Sequence, residues 1–202
     1  GIALNDKMLD HRTNNYLAAI SWDKLQMGIA LADISTGEFL IAEGTSDYIE
    51  KLLQGFNPSE ILYAKPRQKE LKSMIADNYY IYPLDEWIFE KQFGEDLLLR
   101  HFQTKNLRGF GIDDMDAGIA AAGAIIHYLK ETEHPNLQHL TALSRIKQDR
   151  YVWLDRFSIR NLELLQTTHE SGTPLIKVLD KSVSPMGARL LKKWLLLPLK
   201  DK

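Results

Sequence analysis

The sequence predicts an α/β layer fold on a mixed sheet, followed by a short all-helical segment. Three observations carry that reading. Period-two apolar runs around a Ser35-Thr36-Gly37 turn put a hairpin near the front of the chain. Strand-like and helix-like runs then alternate to about residue 131, and beyond that point the helical period stands alone. The charge also changes sign. Residues 1–144 hold 13 Lys/Arg against 21 Asp/Glu, a net of −8, whereas residues 145–202 hold 12 against 6, a net of +6. Such a reversal suggests two units with different surroundings, expected at 1–131 and 132–202.

Taken in order, Asn14 to Ser21 reads as a strand with Tyr16, Ala18 and Ile20 on one face. Gln26 to Ile34 follows, with Met27, Ile29, Leu31 and Asp33 alternating against small residues, and Glu38 to Glu43 returns with Phe39 and Ile41. Thr45-Ser46-Asp47 offers N-caps for a helix through Ile49, Leu52 and Leu53, stopped by Gly55 and Asn57-Pro58. Ile61 to Ala64 is a short buried strand, Lys69 to Ala76 a helix, and Tyr79 to Tyr82 a strand closed by Pro83. Asp85 to Phe93 is expected as a short helix. Leu97, Leu98 and Phe102 form the next apolar stripe, and Ala117 to Glu131 is a strong helix with Ile119, Ala122, Ile126 and Leu129 inward.

Thr132 to Thr141, with Pro135 and Asn136, reads as the crossing between units. After it come an extended piece at Tyr151 to Leu154, a helix capped by Asp155, a helical turn or two at Leu175 to Leu179, and a helix from Met186 to Leu196. Ser184-Pro185 opens that last helix and Pro198 ends it. Trp194, Leu195, Leu196 and Leu197 form a greasy face for which the sequence suggests no partner within the chain.

With 202 residues, 45% hydrophobic and 26% charged, the chain is ordinary globular material. A chain this long buries about two thirds to three quarters of its unfolded surface, so it holds a core without staples. It has no cysteine, which rules out disulfides and thiolate metal cages and fits a reducing, cytoplasmic setting. No apolar run approaches the roughly 18 residues of a membrane span. The first residues lack both a signal-peptide pattern and an initiator methionine, so the start reads as cut.

The chemistry is sparse. No P-loop occurs, and Gly109-Phe110-Gly111 has Asp114 where a dinucleotide loop needs its third glycine. The six histidines lack metal-ligand spacing, and no nucleophile stands in a recognisable setting. No catalytic, cofactor or metal residue is therefore assigned. One alternative is a two-metal nuclease using Asp33 with Glu60 and the pair Asp113/Asp114. The preferred reading is that Asp33 orders its own turn through side chain to backbone bonds. A second alternative is a DNA-binding module. Arg189, Lys192 and Lys193 share one helix face, a basic stripe that could meet DNA nonspecifically or a neighbouring domain. The acidic first unit is a poor candidate for phosphate binding.

Several strings together resemble the MutS mismatch-repair family. Arg12-Thr-Asn-Asn-Tyr-Leu-Ala-Ala-Ile20 resembles the start of its connector domain. Asp33-Ile-Ser-Thr-Gly-Glu-Phe39 is similar to its hairpin, and Asn57-Pro-Ser-Glu-Ile-Leu-Tyr63 to its "N-P-[SA]-E" string. Gly109-Phe-Gly111 before an alanine-rich helix fits the same order. Asp155-x-x-Ser-Ile-Arg-Asn-Leu-Glu-Leu164, Thr173-Pro-Leu-Ile-Lys-Val-Leu-Asp180 and Ser184-Pro-Met-Gly-Ala-Arg-Leu-Leu-Lys-Lys-Trp-Leu195 resemble the opening of the core, or lever, domain.

The resemblance implies a ribonuclease H-like connector without nuclease activity, then the first, truncated part of an all-α core. It implies that this segment is not itself an enzyme. ATP and Mg²⁺ belong to a C-terminal ATPase domain that also dimerises, and mismatched duplex DNA is read by an N-terminal domain with a Phe-x-Glu motif. Phe93-Gly94-Glu95 matches that motif only by chance, at the wrong boundary. The resemblance further implies that the connector transmits ATP-dependent conformational state and offers a surface to MutL. No short motif marks that surface.

Overall fold

The structure, a computed structural model, describes residues 15–24, 26–75, 79–134, 137–147, 151–152, 154, 156–167, 169 and 171–200. The expectations for Asn14, Ala76, Pro135, Asn136, Trp153 and the cap at Asp155 lie outside the described residues. The elements are β1 (Tyr16–Trp22), β2 (Met27–Asp33), β3 (Glu38–Gly44), α1 (Ser46–Phe56), β4 (Glu60–Ala64), α2 (Gln68–Met74), β5 (Tyr80–Leu84), α3 (Lys91–Phe102), α4 (Asp116–Glu131), β6 (Ser144–Arg145), α5 (Arg156–Asn161), α6 (Leu175–Leu179) and α7 (Pro185–Leu196).

The strands form one mixed sheet in the order β5-β4-β1-β2-β3-β6. β1, β2 and β3 are an antiparallel meander, β4 and β5 run parallel to β1, and β6 runs parallel to β3. Both faces of the centre are covered, which is why every residue of β2 is buried. Tyr16, Ala18, Ile20, Ile29 and Leu31 face α1 and α2, packing with Ile49, Leu52, Leu53 and Leu71. Leu17, Ala19, Ala30, Phe39 and Ile41 face α3 and α4. The period of two in the strands thus splits the core into two layers.

The turn after β2 is built as its residues demand. Gly37 takes a φ of 76°, and a Cβ there would lie 2.4 Å from the His139 carbonyl oxygen. Thr45 caps α1, its Oγ1 accepting from the Tyr48 N–H at 3.4 Å. Asn57 ends the helix in the left-handed region, its N–H donating to the Leu53 carbonyl at 2.8 Å. α4 is buried all round, and its small residues bring it close to its neighbours. A Cβ on Gly28 of β2 would lie 2.2 Å from the Ala117 carbonyl carbon.

Three expectations are corrected. Asp85 to Phe93 is no single helix. A 3-10 turn covers Glu86–Phe89 and α3 starts at Lys91, because Ile88 turns into the core while Trp87 stays half outside. Within the stretch read as the crossing, Leu140 is buried on the α3/α4 layer and His101 Nε2 lies 2.7 Å from its carbonyl oxygen. Residues 132–202 are not wholly helical: β6 extends the sheet, and Tyr151 bridges Leu199. Leu196 and Leu197 do find a partner, being buried in the layer that holds Phe56. Trp194 stays exposed, with Val183, Met186 and Leu190.

Candidate functional site

The acidic residues are separated by the sheet itself. Asp33 stands opposite Tyr16 in the β1–β2 register, which places it on the α1/α2 side. Glu60 stands opposite Leu17 in the β1–β4 register, which places it on the α3/α4 side. Paired strand residues share a face, so these two buried carboxyls project from opposite sides of one sheet and cannot hold a common ion. Asp33 instead accepts from the Ser35 N–H at 2.9 Å and the Ser35 hydroxyl at 2.6 Å, and its carbonyl accepts from the Gly37 N–H at 2.8 Å. It orders the turn.

Glu60 is fully buried, with Oε1 accepting from the Tyr128 hydroxyl at 3.1 Å and Oε2 without a hydrogen-bond partner among the described residues. Burial pushes its carboxyl up, against the lowering effect of the Tyr128 hydrogen bond. Tyr128 is itself pushed up, first by burial and then by the neighbouring Glu60. Asp113 and Asp114 are on the surface, 3.8 Å from Arg108 and 3.1 Å from Arg145 respectively. No group of three or more His, Cys, Asp or Glu among the described residues could hold a metal ion. The Gly109 to Gly111 turn has open space around both glycines, and the two aspartates follow it, so its chemistry does not fit a nucleotide phosphate.

Glu43 is a helix-capping side chain that sequence reasoning missed. Its Oε1 accepts from the Gly118 N–H at 2.8 Å, so a β3 residue caps the start of α4 from 75 positions away. Burial pushes its carboxyl up, opposed by the backbone N–H groups of Gly118 and Ala117. No local spacing could have found it.

The basic stripe brings distant parts of the chain together. Ser184 caps α7, its Oγ accepting from the Gly187 N–H at 3.1 Å with Pro185 in the first turn, as its spacing predicts. The helix directs Lys193 at the sheet unit, where its ammonium donates to Glu38 Oε1, and Tyr16 donates its hydroxyl to Glu38 Oε2. The same ammonium stands 5.9 Å from the centre of the Phe56 ring. Phe56 meets Tyr16 edge-on, at 5.0 Å between centroids. Lys192 and Arg189 lie on the same helix and are also engaged in interactions.

Beside this contact runs a groove of about 1150 Å³ whose lining includes Leu53, Phe56, Tyr79, Ile159, Lys192 and Leu196. An ammonium, a carboxylate and two rings exchange no bonds. What the arrangement does is join two segments 155 residues apart. Among the described residues no helix is long and apolar enough to cross a membrane.

A family model described as MutS domain II matches residues 15–141, and one described as MutS domain III matches residues 158–202. Relatives called DNA mismatch repair protein MutS align along the whole chain. That of Cytophaga hutchinsonii is 55% identical over 201 residues, 100% of this chain and 24% of its own length. Those of Parabacteroides distasonis and Christiangramia forsetii are each 50% identical, over 100% of this chain and 23% of their own. The chain therefore spans about a quarter of the length of these relatives.

Proposed function

The chain belongs to the MutS domain II family, and from that premise we propose that it is a non-catalytic connector in a mismatch-recognition ATPase. Its sheet, an antiparallel meander extended by two parallel strands beside β1 and a short one beside β3, supports a ribonuclease H-like assignment for the connector. The first unit runs to about residue 131 and the helical core or lever begins after it, with the stretch through Ile146 lying back along the sheet. The segment carries ATP-dependent conformational state between the parts of a longer protein and presents a docking surface to MutL. ATP with Mg²⁺, mismatched duplex DNA, homodimer formation and the cytoplasmic setting belong to that longer protein.

The observation that carries this reading is the seam itself. Lys193, Leu196 and Leu197 bind the helical segment to Glu38 and Phe56 of the sheet unit, so a movement of either is felt by the other. Of the three residues in the basic stripe, Lys193 is a domain contact, since its charge is already matched by Glu38. Lys192 lines the groove beside it, and Arg189 stands on the same helix. The test is crosslinking of the chain to its MutL counterpart, with the full-length protein and ATP as control. Capture in both is expected; capture by the ATP-loaded full-length protein alone would overturn the docking assignment.

A further inference from the structure

We propose that Trp87, Tyr82 and Tyr80, rimmed by Glu86, Glu90 and Glu131, form a docking face for a protein segment that presents arginines. Such a face is independent of the MutL docking assignment, which carries no residue of its own. The rings make one continuous row on the α3/α4 side of the sheet. Tyr80 and Tyr82 pair with Glu60 and Leu62 of β4, so both project to that side. The Tyr82 ring lies 5.2 Å from that of Tyr128 on α4, and the preceding residue, His127, packs 5.6 Å from both Trp87 and Phe93. Trp87 meets Phe93 edge-on at 4.8 Å between centroids. Even so, Tyr80, Tyr82 and Trp87 stay 50%, 40% and 48% exposed. Tyr82 and Trp87 are thus held before any partner arrives, with little side-chain freedom left to lose on binding. Trp and Tyr seated in this way anchor protein interfaces.

Charge selects the partner. Asp85 is matched by Lys65 at 2.5 Å and Lys91 by Asp116 at 2.6 Å. Glu86, Glu90 and Glu131 are exposed and have no ion pair among the described residues. Glu86 and Glu90 flank Trp87 in the chain, and Glu131 lies one helical turn beyond His127, so carboxylates outnumber Lys130 around the row. A guanidinium meets both demands at once: its flat face stacks on a ring while its fork of N–H donors reaches a carboxylate. An ammonium is a more strongly hydrated point charge and lacks that flat face. Nucleic acid is repelled by the same carboxylates. Strand addition is disfavoured too, because β5 is the edge of the sheet and Pro83 offers no N–H there. The partner therefore meets side chains rather than backbone.

The probe is a short labelled peptide alternating arginine with alanine, titrated with the full chain at moderate salt and followed by fluorescence anisotropy. Saturable binding is expected, and the lysine counterpart should bind several-fold more weakly. Trp87→Ala should weaken the arginine peptide by about tenfold, the loss typical of an interface anchor. Trp87→Leu keeps a cover over Phe93 and His127 but offers no ring. It should weaken binding comparably, which separates the lost contact from a misfolded chain. Glu86→Gln combined with Glu90→Gln should act in the same direction. Asp47→Asn with Glu50→Gln removes equal charge from α1, behind the sheet, and should leave the affinity unchanged. No saturable binding, equal affinity for the two peptides, a Trp87→Leu chain that binds as the parent does, or equal weakening by the α1 pair would each sink the docking face.

Discussion

Gly94 of α3 and Gly123 of α4 meet where the two helices cross, and a Cβ built on Gly123 would lie 2.2 Å from the Gly94 Cα. The contact is backbone against backbone, so no flexible side chain can give way. Gly123→Ala should destabilise the chain by about 1–3 kcal/mol, the usual range for overpacking. In a protein of this size that lowers Tm by about 2–12 °C, read by calorimetry or circular dichroism. An unchanged Tm would mean that the helices are free to move apart.

Glu60 makes stability depend on pH in a specific direction. Its carboxyl is raised above the ordinary value of 4.5 by burial, so the folded state prefers the protonated form. Its contribution is fully present below that ordinary value and is lost as pH rises through the higher folded-state value. Glu60→Gln removes the titration. Its urea midpoint should change less than that of the parent as pH climbs from 4.5 to neutral. Parallel profiles would show that Glu60 ionises in the folded chain without penalty.

Asp33 is a turn residue, and its removal should show as lost stability. Asp33→Ala deprives the Ser35 N–H and hydroxyl of their acceptor, at a cost of about 0.5–1.5 kcal/mol, the net worth of a hydrogen bond whose donors, on the exposed Ser35, can turn to water. Denaturant unfolding measures this. Asp33→Asn keeps an acceptor oxygen and should fall between parent and Ala. Cleavage of labelled duplex or hybrid in Mg²⁺ or Mn²⁺, abolished by Asp33→Asn, would instead restore the nuclease reading.

Duplex DNA should bind the isolated chain only weakly. Fluorescence anisotropy at moderate salt is expected to give a dissociation constant weaker than about 1 μM, within the nonspecific range. Lys193→Ala should leave that value unchanged, because its ammonium already serves Glu38. A tight, salt-sensitive affinity lost on replacing Arg189, Lys192 and Lys193 together would make α7 a DNA-binding face.

How much of this could be read from residue order depends on how far each signal reaches along the chain. The hairpin, the Thr45 and Ser184 caps and the strand faces of Tyr16 and Phe39 are set by neighbours within four residues, and the structure has them as expected. Asp33 as a turn residue was legible for the same reason: Ser35 and Gly37 are two and four positions on. The relation of Asp33 to Glu60 was not, because which face each takes follows from strand order rather than from spacing. Glu43 over α4, Glu38 under Lys193, and Leu197 beside Phe56 are contacts across 75 to 155 positions. The basic stripe on α7 was visible, but its counter-charge was hidden within an acidic unit that offered many carboxylates. β6 escaped notice because two residues cannot display a period.

That two-residue strand bears on how the molecule can be shortened. A version trimmed at 131 would strip β3 of its outer neighbour and empty the seats of Leu140, Leu143 and Ile146. Bare amide and carbonyl groups along such a margin invite pairing with the next copy, so the trimmed product should clump in a bacterial lysate while one ending after Ile146 stays dispersed.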